Sequence, residues 1–255
     1  MPMGADLQKA SMWKRISAWL FDGVLMLTLA VGVGMLLSGW LGFEGHSDTL
    51  EAEYARYEEL YAVSFDVSEA EYMAMTEEAR QNYDAAYQAL IEDENAMYHY
   101  NMVINLMLLI VSGGLLAAIL VWEFLLPLFF GNGQTLGKKL FGLGLVRKDG
   151  VQLNTLQLFT RTLLGKYTID TMIPAAVLLM LLWGSLNLTG TLVLLGLLIG
   201  QILCVALSKT NAAIHDWLAG TVVVDINSQH IFRSTEDLIA YQKKVAAERA
   251  ARQTY

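Results

Sequence analysis

One cysteine, Cys204, among 255 residues excludes any disulfide within the chain, and its place inside an apolar run makes it inert packing. Charge is scarce too: 16% of the residues are charged, against about 25% in an ordinary soluble domain. The four histidines, at 46, 99, 215 and 230, have no metal-ligand spacing, so no metal centre is expected. His215-Asp216 lacks a Ser or Cys nucleophile in triad context, which argues against an enzyme, and no cofactor or nucleic-acid partner is expected. The segment 44–100 lacks lysine altogether and holds only Arg56 and Arg80 beside fifteen Asp and Glu. Those acids are not spaced as D-x-D-x-D-G, so a calcium loop is excluded.

Long apolar runs are what the chain does have. Ile16–Leu41, Met102–Phe130, Tyr167–Trp183 and Leu188–Leu207 each reach the length needed to cross a hydrocarbon core of about 30 Å. The third is short and contains Pro174, which leaves open a re-entrant pair made from the last two. The first run carries Asp22, exceeds a signal-peptide core and has no A-x-A-like cleavage site, so it reads as a retained helix. Basic residues collect on cytoplasmic loops. Lys138, Lys139, Arg147, Lys148, Arg161 and Lys166 therefore place 131–166 inside, together with both termini, and the acidic segment outside.

The expected fold is an all-α membrane protein: a four-helix transmembrane bundle with an extracytoplasmic helical insert and a small cytoplasmic β-hairpin or sheet. The segments are 1–41 (N-terminal segment and first span), 42–101 (acidic, Tyr-rich insert), 102–130 (second span), 131–166 (basic hairpin and amphipathic helix), 167–207 (third and fourth spans) and 208–255 (cytoplasmic motif, strand and charged helical tail). Localisation follows as a cell membrane, the bacterial cytoplasmic membrane being expected.

Local signals fill in the rest. Leu50, Tyr54, Tyr57 and Tyr61 share one helix face, and Ser68 with Glu71 forms a capping box opening a second helix through Tyr98. Eight of the eleven tyrosines lie in this segment, as suits a wet helical hairpin or a contact surface. Asp149-Gly150 is a hairpin signal. Asn154 with Gln157 caps an amphipathic helix over about 155–165 that would lie on the inner membrane surface. Gly220 ends a short helix before a strand over 221–226 that could pair with the hairpin. Gly32, Gly34, Gly113, Gly114, Gly196 and Gly200 read as close-packing surfaces.

Asp22, Glu123 and Asp170 fall inside the spans. At a rise of about 1.5 Å per residue they lie roughly 9, 10 and 6 Å from the inner boundary, so all three share the inner third of the bilayer. Carboxylates there need partners, and Arg15, Arg161 and Lys166 are the counter-charges at that level. The alternatives are an ion or proton pathway and a polar clamp fixing helix register.

Four motifs then carry a resemblance. "WKRISAWLFD" holds Arg15 and Asp22. "GNGQTLGKK" holds Gly133, Gln134, Thr135, Gly137 and Lys138. "RTLL" holds Arg161, and "HDWLAGT" holds His215, Asp216, Gly220 and Thr221. In this order they resemble the RDD family of small membrane proteins, named for one arginine and two aspartates. The resemblance covers about 10–41 and 102–226; the long insert and the double span at the end depart from the family's usual short first loop and about three helices. It implies no single activity, since sodium/proton antiport has been proposed for some members and others look like accessory or assembly factors. On physical grounds, Gly133, Gly137 and Gly142 permit tight turns, and Lys138 and Lys139 are placed to reach anionic headgroups. The Gly-Gln-Thr-x-Gly-Lys run lacks phosphate-loop spacing and context, which excludes nucleotide binding.

Two functions are expected. In one, Asp22, Glu123 and Asp170 carry a monovalent cation or proton; with few spans and no internal repeat, that calls for a homo-oligomer. In the other, the charges are structural and the protein is an accessory or assembly factor, binding a partner through 48–98 and its cytoplasmic face.

Overall fold

The computed structural model describes residues 10–131, 133–182, 188–208, 211–228 and 230–253. The segment before residue 10 and Trp183, the end of the third predicted run, lie outside the described residues. The chain is mostly helical, with four helices among the described residues long and apolar enough to cross a membrane: Met12–Leu41, Glu94–Phe130, Thr155–Leu181 and Leu188–Leu207. Most of their apolar side chains face outward; Trp40 is 82% exposed, and α10 (Leu188–Leu207) buries no residue. A helix apolar on every face needs an apolar surrounding, and here lipid supplies it.

The chain divides into two units, 30–114 and 1–29 with 115–255. In the first, α1 (Met12–Leu41) meets α5 (Glu94–Ile119) through small residues. A Cβ on Gly114 would stand 2.8 Å from the Ala30 carbonyl oxygen, and one on Gly113 would stand 3.2 Å from Leu37. These glycines are the close-packing surface their spacing suggests. Beyond them lie α2 (Phe43–Tyr61), α3 (Glu69–Ala74) and α4 (Glu77–Glu92). Leu50, Tyr54, Tyr57 and Tyr61 are half-buried on the inner face of α2, while Ala55, Arg56, Glu59 and Leu60 are exposed. The core of the insert is aromatic: Phe65 meets Tyr54, Tyr83 and Tyr87 edge-on at 5.6, 5.7 and 6.3 Å.

The Ser68–Glu71 capping box forms, but the single helix expected to follow it is divided. Thr76 caps α4 by accepting from the Ala79 amide, and Asp93 caps α5 by accepting from the amides of Asn95 and Ala96. Each cap offers a backbone amide a side-chain oxygen in place of a carbonyl, and so restarts the helix. Asp93 also takes Arg56 at 2.6 Å and Tyr57 at 2.9 Å. Its carboxyl is lowered to about 2, with the amide of Ala96 the largest cause and Tyr57 next.

In the second unit, α5 runs on without interruption through a π-helical segment, Leu120–Leu125, into α6 (Leu126–Phe130). Then come α7 (Leu136–Leu140), β1 (Leu143–Arg147) and α8 (Thr155–Thr160), which opens on the expected Asn154–Gln157 capping box. The expected surface helix is not separate from the third span. α8 passes directly into a π-helical segment, Arg161–Met172, and then into α9 (Ile173–Leu182). No cap or helix-ending glycine stands between them: Gly165 lies inside the helix, where its bare Cα permits contact with α11 (Ile214–Ala219). Gly220, at φ 67°, ends α11 and returns its amide to the carbonyls of Asp216 and Trp217.

The sheet has two antiparallel strands, β1 and β2 (Thr221–Asp225), with Leu145 opposite Val223. The expected hairpin is only its turn. After Asp149-Gly150 the chain makes isolated bridges, Val146 to Gln152 and Val151 to Phe232, rather than a strand. Val222, Val223 and Val224 form a continuous buried run beside β1, and that longer apolar strand takes the full ladder. α12 (Thr235–Gln253) forms the charged tail helix.

A buried charge cluster as candidate functional site

Asp22 is 6% exposed, on the part of α1 that belongs to the second unit. Its Oδ1 accepts from the Trp122 indole at 2.8 Å and from the Gly137 amide at 2.7 Å, and its Oδ2 accepts from the Thr135 hydroxyl. Thr135 also caps α7 by accepting from the Lys138 amide at 3.3 Å. One carboxylate thus ties α1 to the second span and to the turn that starts α7. Gly137 is what permits the approach: a Cβ there would lie 2.5 Å from the Ala18 carbonyl oxygen and 2.8 Å from the Asp22 carboxyl carbon. Gly133 and Gly142 do take the left-handed turn conformation expected of them, at φ 62° and 68°, but Gly137 is helical and serves close packing. Gln134 braces the same turn, its amide donating to the Leu143 carbonyl at 2.7 Å.

Glu123 is the hub of the cluster. Lys138 and Arg161 reach its Oε2 at 3.2 Å each, and Lys166 reaches its Oε1. Lys138 therefore points inward, not to lipid headgroups as expected, because a buried carboxylate offers an ammonium more than solvent beyond a short turn does. Burial still pushes the Lys138 ammonium down to about 8, with Glu123 opposing the shift. Lys139, its neighbour, is exposed and lies over the Phe130 ring at 4.1 Å.

The π-helical geometry makes this convergence possible. On a regular helix Arg161 and Lys166 would point about 140° apart, five steps of about 100°. Hydrogen bonding five residues back brings them closer to one face, as the Ile173 amide shows by bonding the Thr168 carbonyl. Pro127 adds a second device. It has no N–H for the Glu123 carbonyl four residues back, and the Thr162 hydroxyl donates there instead at 2.9 Å.

Asp216, fully buried on α11, completes the set. Its Oδ1 accepts from Arg161 Nε at 2.9 Å and from the Thr221 hydroxyl at 3.1 Å; its Oδ2 lies 3.4 Å from the Ala213 amide and 3.7 Å from Arg15. Burial alone would raise this carboxyl, but Arg161, then His215 and Arg15, hold it well below the usual range. Arg15 also donates to the Asn211 carbonyl at 2.7 Å. His215 bonds Asp170, and burial lowers its ring against the pull of Asp216. A Cβ on Gly165 would stand 2.4 Å from that of His215, so glycine sets the contact between the π-helical segment and α11.

Arg15, Asp22 and Asp216 are thus each held by residues of other motifs or segments, and the sequence matches the RDD family over residues 9–220. The protein belongs to the RDD family. No curated protein and no solved structure matches it.

All the RDD motif residues named from the sequence take part in the cluster or its frame, and Glu123, Asp170 and Lys166 join them. Beside Lys138, the pairing of Asp22 differs from the expectation. Asp22 was expected to meet a cation; its three partners are neutral donors. Trp122, Thr162, Gly165 and Asn211 were not anticipated. Pro127, four residues after Glu123, was the one signal in the sequence that the carbonyl would need an outside donor. Gly32 and Gly196, expected to pack, have open space where a Cβ would stand, and a Cβ on Gly200 would meet Ile214 at 3.7 Å, among the described residues.

Proposed function

We propose that this RDD protein is a membrane accessory or assembly protein in which the buried charges form a structural clamp. One observation carries the reading: both oxygens of Asp22 and of Glu123 are already engaged by N–H or O–H donors from other segments, and Asp216 takes Arg161 and Thr221 on one oxygen and the amide of its own helix cap, Ala213, on the other. A cation entering would have to displace those donors and would meet Arg15, Lys138, Arg161 and Lys166 at the same place. Breaking a buried pair costs about 3–5 kcal/mol, which suits a fixed joint better than a carrier cycling on each turnover. The joint binds the spanning helices to α7, α11 and the sheet, and so holds a preformed face at the membrane surface. The distribution of Lys and Arg supports termini and sheet on the cytoplasmic side of a bacterial cytoplasmic membrane, and the acidic unit 42–101 outside as the partner surface.

Monovalent cation or proton transport is the competing reading. The two π-helical segments favour it, because such segments concentrate at functional sites. Proteoliposomes carrying pH- and sodium-sensitive dyes separate the two. The accessory reading expects the same background flux from wild type, Asp22→Asn and Glu123→Gln; a wild-type flux that either substitution abolishes would restore transport. Deleting 48–98 is expected to release a co-purifying partner.

A further inference from the structure

Beside the cluster, within the second unit, lies a cavity of about 630 Å³. We propose that it holds one phospholipid, with the headgroup at the charged floor and an acyl chain along the apolar wall. The inference goes beyond the accessory reading and holds whether or not the protein moves ions.

Shape and composition give the first argument. Trp19 and Met26 of α1 and Leu194 and Leu198 of α10 supply apolar wall, whereas Arg15, Lys138, Arg161 and Lys166 share the charged end with Asp22, Glu123, Asp170 and Asp216. A cavity of about 300–1,000 Å³ with apolar walls and a few convergent polar groups is the ordinary form of a small-molecule site. An amphiphile is the ligand that matches both ends.

Position gives the second. The wall comes from helices long and apolar enough to span, but the lining also includes Lys138, His215 and Val223, which belong to α7, α11 and β2 outside those helices. The cavity therefore straddles the end of the spans, the level at which lipid headgroups sit.

Hydrogen-bonding capacity gives the third. The carboxylates of Asp22, Glu123 and Asp216 have both oxygens engaged. Lys138 and Lys166 are ammonium groups with three donors apiece, and Glu123 takes one from each among the described residues. Four basic side chains, Arg15, Lys138, Arg161 and Lys166, are matched by the four carboxylates of Asp22, Glu123, Asp170 and Asp216 along the same lining. What the site has left to offer is the remaining N–H donors of Lys138 and Lys166. The acceptor-rich phosphodiester of a phospholipid headgroup is their complement.

The test uses the purified full chain, equilibrated with mixed phosphatidylglycerol and phosphatidylethanolamine vesicles, stripped in lipid-free detergent and weighed by native mass spectrometry. Wild type is expected to keep one phospholipid per chain. Leu194→Trp fills the wall without touching an ion pair, and Lys166→Met removes spare donors; each is expected to lower the retained fraction about tenfold. Unfolding temperature is read alongside, and Leu194→Trp should leave it unchanged. A wild type that emerges free of phospholipid, or a Leu194→Trp variant that retains as much as wild type, would overturn the proposal.

Discussion

Replacing Glu123 by Gln keeps the shape of the side chain and removes its charge. Lys138 and Lys166 then lose the carboxylate they share and Arg161 keeps only Asp216, because all three cations meet on Glu123. Removing one member of a buried pair costs about 3–5 kcal/mol, and with three partners the upper end applies. For a chain of this size about 5 kcal/mol corresponds to a fall of roughly 10–20 °C in unfolding temperature. Cys204, the one thiol in the chain, gives a direct assay: a thiol-reactive fluorophore reports its exposure as the detergent-solubilised protein is heated. Coupling supplies an internal check. Adding Lys138→Met to Glu123→Gln removes one of the stranded cations, so the double variant should recover part of the loss, as contacting residues do. An unfolding temperature within about 2 °C of wild type for Glu123→Gln, a change worth only about 1 kcal/mol, would refute the hub. So would a double variant less stable than the single one.

Three further outcomes can be measured in the same assay. Gly137→Ala puts a methyl group 2.5 Å from a backbone oxygen of α1, and that overpacking should cost about 3 kcal/mol or more; unchanged stability would mean α7 does not sit where it is described. Trp122→Phe removes a donor to a buried carboxylate and should cost about 1.5–3 kcal/mol, whereas substitution of the exposed Lys139 should cost far less. Stability should fall on acidification in two steps. Burial lowers His215 in the folded chain, so the unfolded chain protonates first, and stability complete above pH 6.5 is lost as pH drops through the folded value. Asp216 is also held low, so its contribution persists above its unfolded value of 3.8 and is lost only below that. His215→Gln should remove the first step and keep the second; a wild type equally stable at pH 7 and pH 5 would contradict the assignment.

The sequence alone determined the features that depend on neighbours along the chain. Apolar length set the four spans, and side-chain oxygens three residues ahead of a free amide set the capping boxes at Ser68 and Asn154. A carboxylate in an apolar run must find a partner, so Asp22, Glu123 and Asp170 identified themselves. Which partner each one took was a different matter. A regular helix puts Arg161 and Lys166 on different faces, and only the π-helical segment, packed against α11 through Gly165, turns both toward Glu123. Asp22 found Trp122 and Thr135, not a cation, because Gly137 lets α7 approach closely enough to present its amide. Lys138, four residues after Gln134 in a short basic turn, looked bound for solvent until α7 folded it inward. Local sequence fixes distances along one helix; the phase and separation between helices come from where small residues allow contact, and that is settled only when the whole chain packs.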